Sequence, residues 1–218
     1  MKIKSFLEIA TCLTIELLLF NFYSCKENET LPCGCSGIDG KAIEETYGTV
    51  FMHEEKPYLI TLESGYITSC DTTKFLISGQ VFEKVVGKVK STCTTIIDTA
   101  YAYHEHFDYK ASYFEIYSFK ELTSPLLYSP ITWKQFTIEI IKSEDFGYPK
   151  GFGFKITNSN NGFNLVQPIL PVAGFVPCKT EQDAVLVAFL YVSKMYLQSA
   201  SLVSVYETEL EFLGVYTP

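Results

Sequence analysis

His104, His106 and Asp108 stand two residues apart in "YHEHFDY", and that spacing sends all three side chains from one face of an extended strand. Imidazole nitrogens and a carboxylate on one face can hold a divalent cation. Three neighbours on one strand supply only part of a coordination shell, and His53 is the single further histidine in the chain. The plainer reading is a solvated polar face beside an aromatic core face, because Tyr101, Tyr103, Phe107 and Tyr109 fall on the opposite side. We therefore assign no metal and no cofactor, and keep the three residues only as the place where a metal would be sought.

Other chemistry finds less material. No G-x-S-x-G elbow is present, and a serine or cysteine nucleophile would depend on one of three histidines. Gly151-x-Gly153 lies between expected strands, so no helix N-terminus follows it to receive a phosphate. All 17 basic residues are lysine, against 25 acidic residues, for a net charge of -8. Without arginine there is no bidentate grip on phosphate or guanine, and the negative field repels nucleic acid. No catalytic residue is assigned.

The N-terminal stretch carries the clearest address. Lys2 and Lys4 precede a mostly apolar run, Ser5 to Phe22, which reads as an export signal over residues 1–24. Glu8 and Glu16 interrupt that run, and a carboxylate at the centre of a membrane segment costs roughly 2.5 to 3.5 kcal/mol. The run is also short for a permanent span, which needs about 20 apolar residues. It ends at Ser24-Cys25, a small residue before a cysteine, and resembles the relaxed lipoboxes of Bacteroidota-type lipoproteins. That resemblance implies a diacylglyceryl group on the Cys25 thiol after the signal is cut. Lys26-Glu27-Asn28-Glu29 is similar to the acidic patch that accompanies transport to the outer face. Each buried acyl CH2 contributes roughly 0.8 kcal/mol, so a multiply acylated cysteine holds where one chain slips off.

Seven cysteines less Cys12 and Cys25 leave Cys33, Cys35, Cys70, Cys93 and Cys178. An exported chain meets an oxidising compartment, and five is odd, so at least one thiol stays unpaired. Cys70 and Cys93 are the preferred pair because they flank a strand-rich stretch. A zinc site at 33, 35, 70 and 93 lacks the paired knuckles of structural zinc. Cys178 reads as a buried, inert thiol.

These residues need elements to position them. Residues 25–44 are polar, with Pro32 and glycines, and read as a flexible tether. Over 45–98, short runs rich in Tyr, Phe, Val, Ile and Thr alternate with turn formers, which suggests a small β-barrel. Expected strands are Thr46 to Met52, Lys56 to Leu62, Gly65 to Cys70, Phe75 to Phe82 and Val85 to Ser91, with a bend or bulge at the glycines 79 and 87. The region is similar to the OB-like barrels of Bacteroidota lipoproteins. Residues 99–131 read as an aromatic connecting strand region. From 132 to 218 we expect an antiparallel sheet packed against one long helix. Phe136, Ile138 and Ile140 share a strand face, as do Phe152, Phe154 and Ile156, and Asn161-Gly162 marks a hairpin in which both residues can take positive φ. Thr180 with Asp183 opens a helix to Gln198, roughly 27 Å long, whose "AVLVAFLYV" centre is apolar on nearly every side. The fold class is therefore α+β.

Gly151-Phe152-Gly153-Phe154, Gln167-Pro168-Ile169, Pro171-x-x-Gly174, Thr180-x-x-Asp183-Ala184, Glu209-Leu210 and Leu213-Gly214 span Trp133 to Tyr216. In these features the chain resembles a family of uncharacterised Bacteroidota lipoprotein domains, the 4900 series of domains of unknown function. The resemblance implies a fold and an outer-membrane address, and brings no catalytic residues.

Together these readings describe a lipid-anchored envelope protein, a non-enzymatic binding or structural module whose partners are membrane lipid through Cys25 and an envelope protein or glycan. One rival is a metal-dependent or hydrolytic enzyme acting on envelope or glycan substrates. Another is an accessory subunit docking through the apolar helix 181–198, which requires Leu186, Phe189 and Leu190 to be exposed.

Overall fold

Alternation along each strand decides the N-terminal architecture. In the computed structural model, which describes residues 34–70, 78–102, 105–123, 125–200 and 203–217, the strands β1 (Asp39–His53), β2 (Lys56–Thr61), β3 (Gly65–Ser69), β4 (Val81–Ala102) and β5 (Glu105–Glu121) close a barrel in the order β1-β2-β3-β5-β4. All pairs are antiparallel except β3 with β5, which run parallel. This is an OB-like barrel. Val50, Leu59, Ile67, Phe82, Val85 and Phe114 point inward and fill it. Their neighbours Phe51 and Ile60 point outward into a second core, as a two-residue period requires.

The expected boundaries shift. β1 begins at Asp39, inside the stretch read as tether, and is held there by Asp39 hydrogen bonds from Lys88 (3.0 Å) and Lys90 (2.6 Å) of β4. The strand expected at 85–91 lies within the longer β4, which has a register irregularity at Gly87; of the strand expected at 75–82, only Val81 and Phe82 belong to β4, 78–80 are not strand, and 75–77 lie outside the described residues. A Cβ there would lie 2.2 Å from the Glu115 carbonyl oxygen, so the close approach of β5 demands glycine. The region read as a connector supplies β5, which closes the barrel. Sequence periodicity marks a strand but does not name its partner, and the parallel β3–β5 pair is a long-range choice. Beyond Lys90, β4 and β5 continue as a two-stranded ribbon as far as Ala102 opposite Glu105.

The C-terminal part follows the expectation. β6 (Ile131–Trp133), β7 (Phe136–Lys142), β8 (Phe152–Asn158) and β9 (Phe163–Gln167) form an antiparallel sheet in chain order. In the β8–β9 turn only Gly162 takes positive φ (70°), while the Asn161 side chain accepts a hydrogen bond from the Phe163 N–H at 3.0 Å. Helix α1 (Glu181–Gln198) starts at a capping box: Thr180 Oγ1 accepts from Asp183 N and Asp183 Oδ2 accepts from Thr180 N, both at 3.0 Å. A one-and-a-half-turn helix α2 (Glu207–Phe212) follows.

Helix α1 is apolar all round because it lies between two sheets. Its Ala184–Val192 stretch is buried throughout, against the outer face of the barrel on one side and Phe136, Ile138, Ile140, Phe154 and Ile156 on the other. Leu186, Phe189 and Leu190 are 4%, 0% and 2% exposed, so the surface a docking helix would need is already used within the chain.

Candidate functional site

OB barrels take oligonucleotides and oligosaccharides on the face made by their second and third strands. Here that face is filled from within. Ile60 and Leu62 are buried under α1, and the Phe212 ring of α2 lies 5.3 Å from Phe51, 5.4 Å from Tyr66 and 4.3 Å from Tyr109, centroid to centroid. Tyr109 and Phe212 stack at 7° between planes, and the Tyr109 hydroxyl hydrogen-bonds Thr208 Oγ1 at 3.2 Å. Phe51, Tyr66 and Tyr109, on β1, β3 and β5, thus serve packing, and this face of the barrel is covered from within the chain.

The residues singled out in the sequence are placed as follows. Cys25 and His104 lie outside the described residues. His106 sits on β5 opposite Tyr101 in the ribbon, and Asp108 sits opposite Thr99 with Lys110 Nζ 3.3 Å from its carboxylate. Asp108 therefore has a cation beside it. Among the described residues, no three His, Cys, Asp or Glu side chains gather as a metal site.

The expected Cys70–Cys93 bridge is corrected: Cys70 is bonded to Cys35. β5 lies between β3, which Cys70 follows, and β4, which carries Cys93. The 3-10 turn Gly34–Ser36 instead brings Cys35 beside the end of β3, its Cα 5.4 Å from that of Cys70. Cys178 is buried and free, and burial pushes its thiol well above the ordinary range, so it is inert as a nucleophile.

A cleft of about 330 Å³ opens where the barrel, the ribbon and α1 meet, lined by Tyr66, Asp108, Leu190, Lys194, Leu197 and Glu209. Its charges serve the fold. Lys194 Nζ donates to both Glu209 carboxylate oxygens (2.9 and 2.8 Å) and to the Ser204 carbonyl (2.6 Å), and Glu209 also accepts the Tyr206 N–H at 2.9 Å. Among the described residues the buried Tyr66 hydroxyl has no hydrogen-bond partner, and desolvation holds its pKa well above the phenol value.

Several aromatic side chains that the core does not use lie near the β7–β8 end of the sheet. Tyr128, Phe146 and Phe175 are 48%, 48% and 63% exposed. Tyr148 is half-buried and stacks on Phe175 with centroids 6.1 Å apart and planes at 28°. The Tyr128 hydroxyl donates to the Asp145 carboxylate, which holds the phenol above its ordinary pKa. Glu144 accepts the Gly151 N–H at 3.2 Å, and this bond with its own backbone N–H keeps its carboxyl below the usual range.

Two of these rings sit on unfavourable backbone. Tyr128 has φ 58° and Phe175 φ 56°, the left-handed region that bulky residues avoid at a cost of about 1–3 kcal/mol each. The surroundings impose it. The loop from Pro168 to Cys178 is tied down by Phe152 and Cys178, which exchange backbone hydrogen bonds at 2.9 Å, and by Leu170 N to Val176 O at 2.7 Å. Gly153 lets this loop approach β8: a Cβ there would lie 2.5 Å from the Pro168 Cα. The glycines of "GFGF" and the prolines of the loop are thus two halves of one packing arrangement. Our reading of the sequence did not single out these four aromatic residues. The available signal was Phe175 between Gly174 and Pro177, an aromatic residue where neither strand nor helix can use it.

No protein family, curated protein or solved structure matches the chain. The resemblance drawn over Trp133 to Tyr216 therefore rests on the quoted residues. No helix among the described residues is long and apolar enough to cross a membrane.

Proposed function

We propose that this chain is a lipid-anchored protein of the cell envelope, tied to the outer membrane through an acylated Cys25, and that its folded body is a non-enzymatic binding module. The address is supported by the apolar run that stops at Ser24-Cys25, by the acidic patch after it, and by the likeness of the C-terminal part to uncharacterised lipoprotein domains. The observation that carries the binding role is the set of exposed rings Tyr128, Phe146 and Phe175, with half-buried Tyr148 stacked on Phe175, on a braced loop framework. Exposed rings on strained backbone, two of them at φ 58° and 56°, mark an interaction surface.

The anchor is tested by fractionating cells that express the full chain. The native protein is expected in the outer-membrane fraction with an acyl mass on its first mature residue, and Cys25→Ser is expected in the soluble fraction. A Cys25→Ser chain that stays with the membrane would overturn the anchor.

A further inference from the structure

We infer that the exposed rings at the β7–β8 end form a stacking site for a neutral polysaccharide, in which Phe175 and Tyr148 receive the C–H face of a pyranose and the carboxylates of Glu144 and Asp145, on the same turn as Tyr148, accept from the hydroxyls of the chain. This inference rests on the binding role proposed above and names its ligand class.

The chemistry selects the ligand. The exposed rings offer broad apolar faces, and beside them stand Asp145 and Glu144, whose carboxylates only accept hydrogen bonds. A ligand that fits both must join an apolar face to a rim of donors. Saccharide rings have that construction, with axial C–H groups on one side and hydroxyls around the edge. Nucleobases also stack on aromatic rings, but each brings a phosphate, which would meet two carboxylates on a chain of net charge -8. The number of rings points to a polymer. Phe175 with Tyr148 makes one platform, while Phe146 and Tyr128 flank Asp145, so more than one sugar ring has a partner.

The framework supplies the rigidity such a site needs. The Phe175 loop is hydrogen-bonded to itself and to β8, and Tyr128 is fixed by the bond to Asp145 and by its N–H to the Ile140 carbonyl at 2.9 Å. Rings already held in place lose little freedom on binding.

The test uses the full chain, purified in detergent, in native affinity gels cast with amylopectin, xylan, galactomannan or β-1,3-glucan. Retardation is expected in at least one gel. Phe175→Ala and Tyr148→Ala are expected to weaken it at least ten-fold, while Phe175→Trp retains it and Phe119→Ala, which removes an exposed ring on the barrel, leaves it unchanged.

Phe175→Gly separates binding from folding. It removes the ring and relaxes the φ of 56°, so it should bind at least ten-fold more weakly yet melt no lower than the native chain. A lower melting temperature would assign the ring to structure and overturn the inference. So would retardation in none of the gels by a folded chain, retardation indifferent to Phe175→Ala, or capture of an outer-membrane protein by the same rings in place of any glycan. Loss of membrane attachment in Cys25→Ser changes none of these readings, so failure of the anchor and failure of the glycan site are distinguishable.

Discussion

Glu209 shows how a charged residue can belong to the core. Its carboxylate is 10% exposed, receives two bonds from Lys194 and one from the Tyr206 N–H, and so closes the N-terminus of α2 while tying it to α1. Removing one member of a buried pair strands the other in a poor environment. Glu209→Gln is therefore expected to lower unfolding stability by about 2–3 kcal/mol, read as a fall in the urea midpoint with the slope unchanged. Lys194→Met should cost a comparable amount, and the double substitution less than the two added together, because each single change already breaks the same contacts. Additive losses would show that the pair does not act as a unit. In the sequence, Glu209 was visible only as part of "ELEFLG". Its partner is 15 residues away across an intervening turn, and no local pattern announces that pairing.

Elements were legible where burial imposes a period, and less so where partner choice does. The span Glu181 to Gln198, its capping box and the buried strand faces around Phe136 and Phe154 could all be read because each rests on contacts within a few residues or on one repeating face. The greasy centre of α1 called for cover beyond the sheet, from within the chain or from a partner. What covered it could not be read, since the barrel's outer face contributes through single alternate positions such as Phe51 and Ile60. The disulfide was misassigned for the same reason. The strand-rich stretch that they flank favoured Cys70 with Cys93, whereas β5 lies between β3 and β4 and the turn before β1 brings Cys35 within reach. The candidate site was the least legible part, because Tyr148 meets Phe175, and Tyr128 meets Asp145, only after segments far apart in sequence are folded together. The bridge gives an element-level prediction: a proteolytic digest without reduction should link the Cys35 peptide to the Cys70 peptide. Cys35→Ser should lower stability by about 3–4 kcal/mol, from the chain entropy of a loop spanning 35 residues. A Cys70–Cys93 peptide in that digest would refute the pairing.

At the scale of the whole molecule, the barrel and the sheet share one core. α1 contributes to both, and Glu63 in the β2–β3 turn adds a polar seam, 2.6 Å from Lys41 and 3.7 Å from Lys134 of the β6–β7 turn. Lys134 in turn lies over the Trp133 ring at 4.5 Å and donates to the Tyr196 hydroxyl at 2.7 Å. Neither half keeps its apolar surface covered without the other, so residues 34 to 217 should unfold in a single transition. Trp133, the one tryptophan, reports on the sheet. Its fluorescence midpoint in urea is expected to coincide with the far-UV circular dichroism midpoint, to which the barrel strands and α1 both contribute. Two separated midpoints would show independent halves.

The Cys35–Cys70 bond also decides how the body meets a mechanical load. A pull on the chain from before Cys35 does not reach β1 alone, because the sulfur link hands part of the force to the end of β3 on the other side of the barrel wall. Strand-by-strand unzipping from the N-terminus is thereby blocked, and the strands resist in shear. Reduction of that one bond would convert a body that tolerates tugging into one that peels.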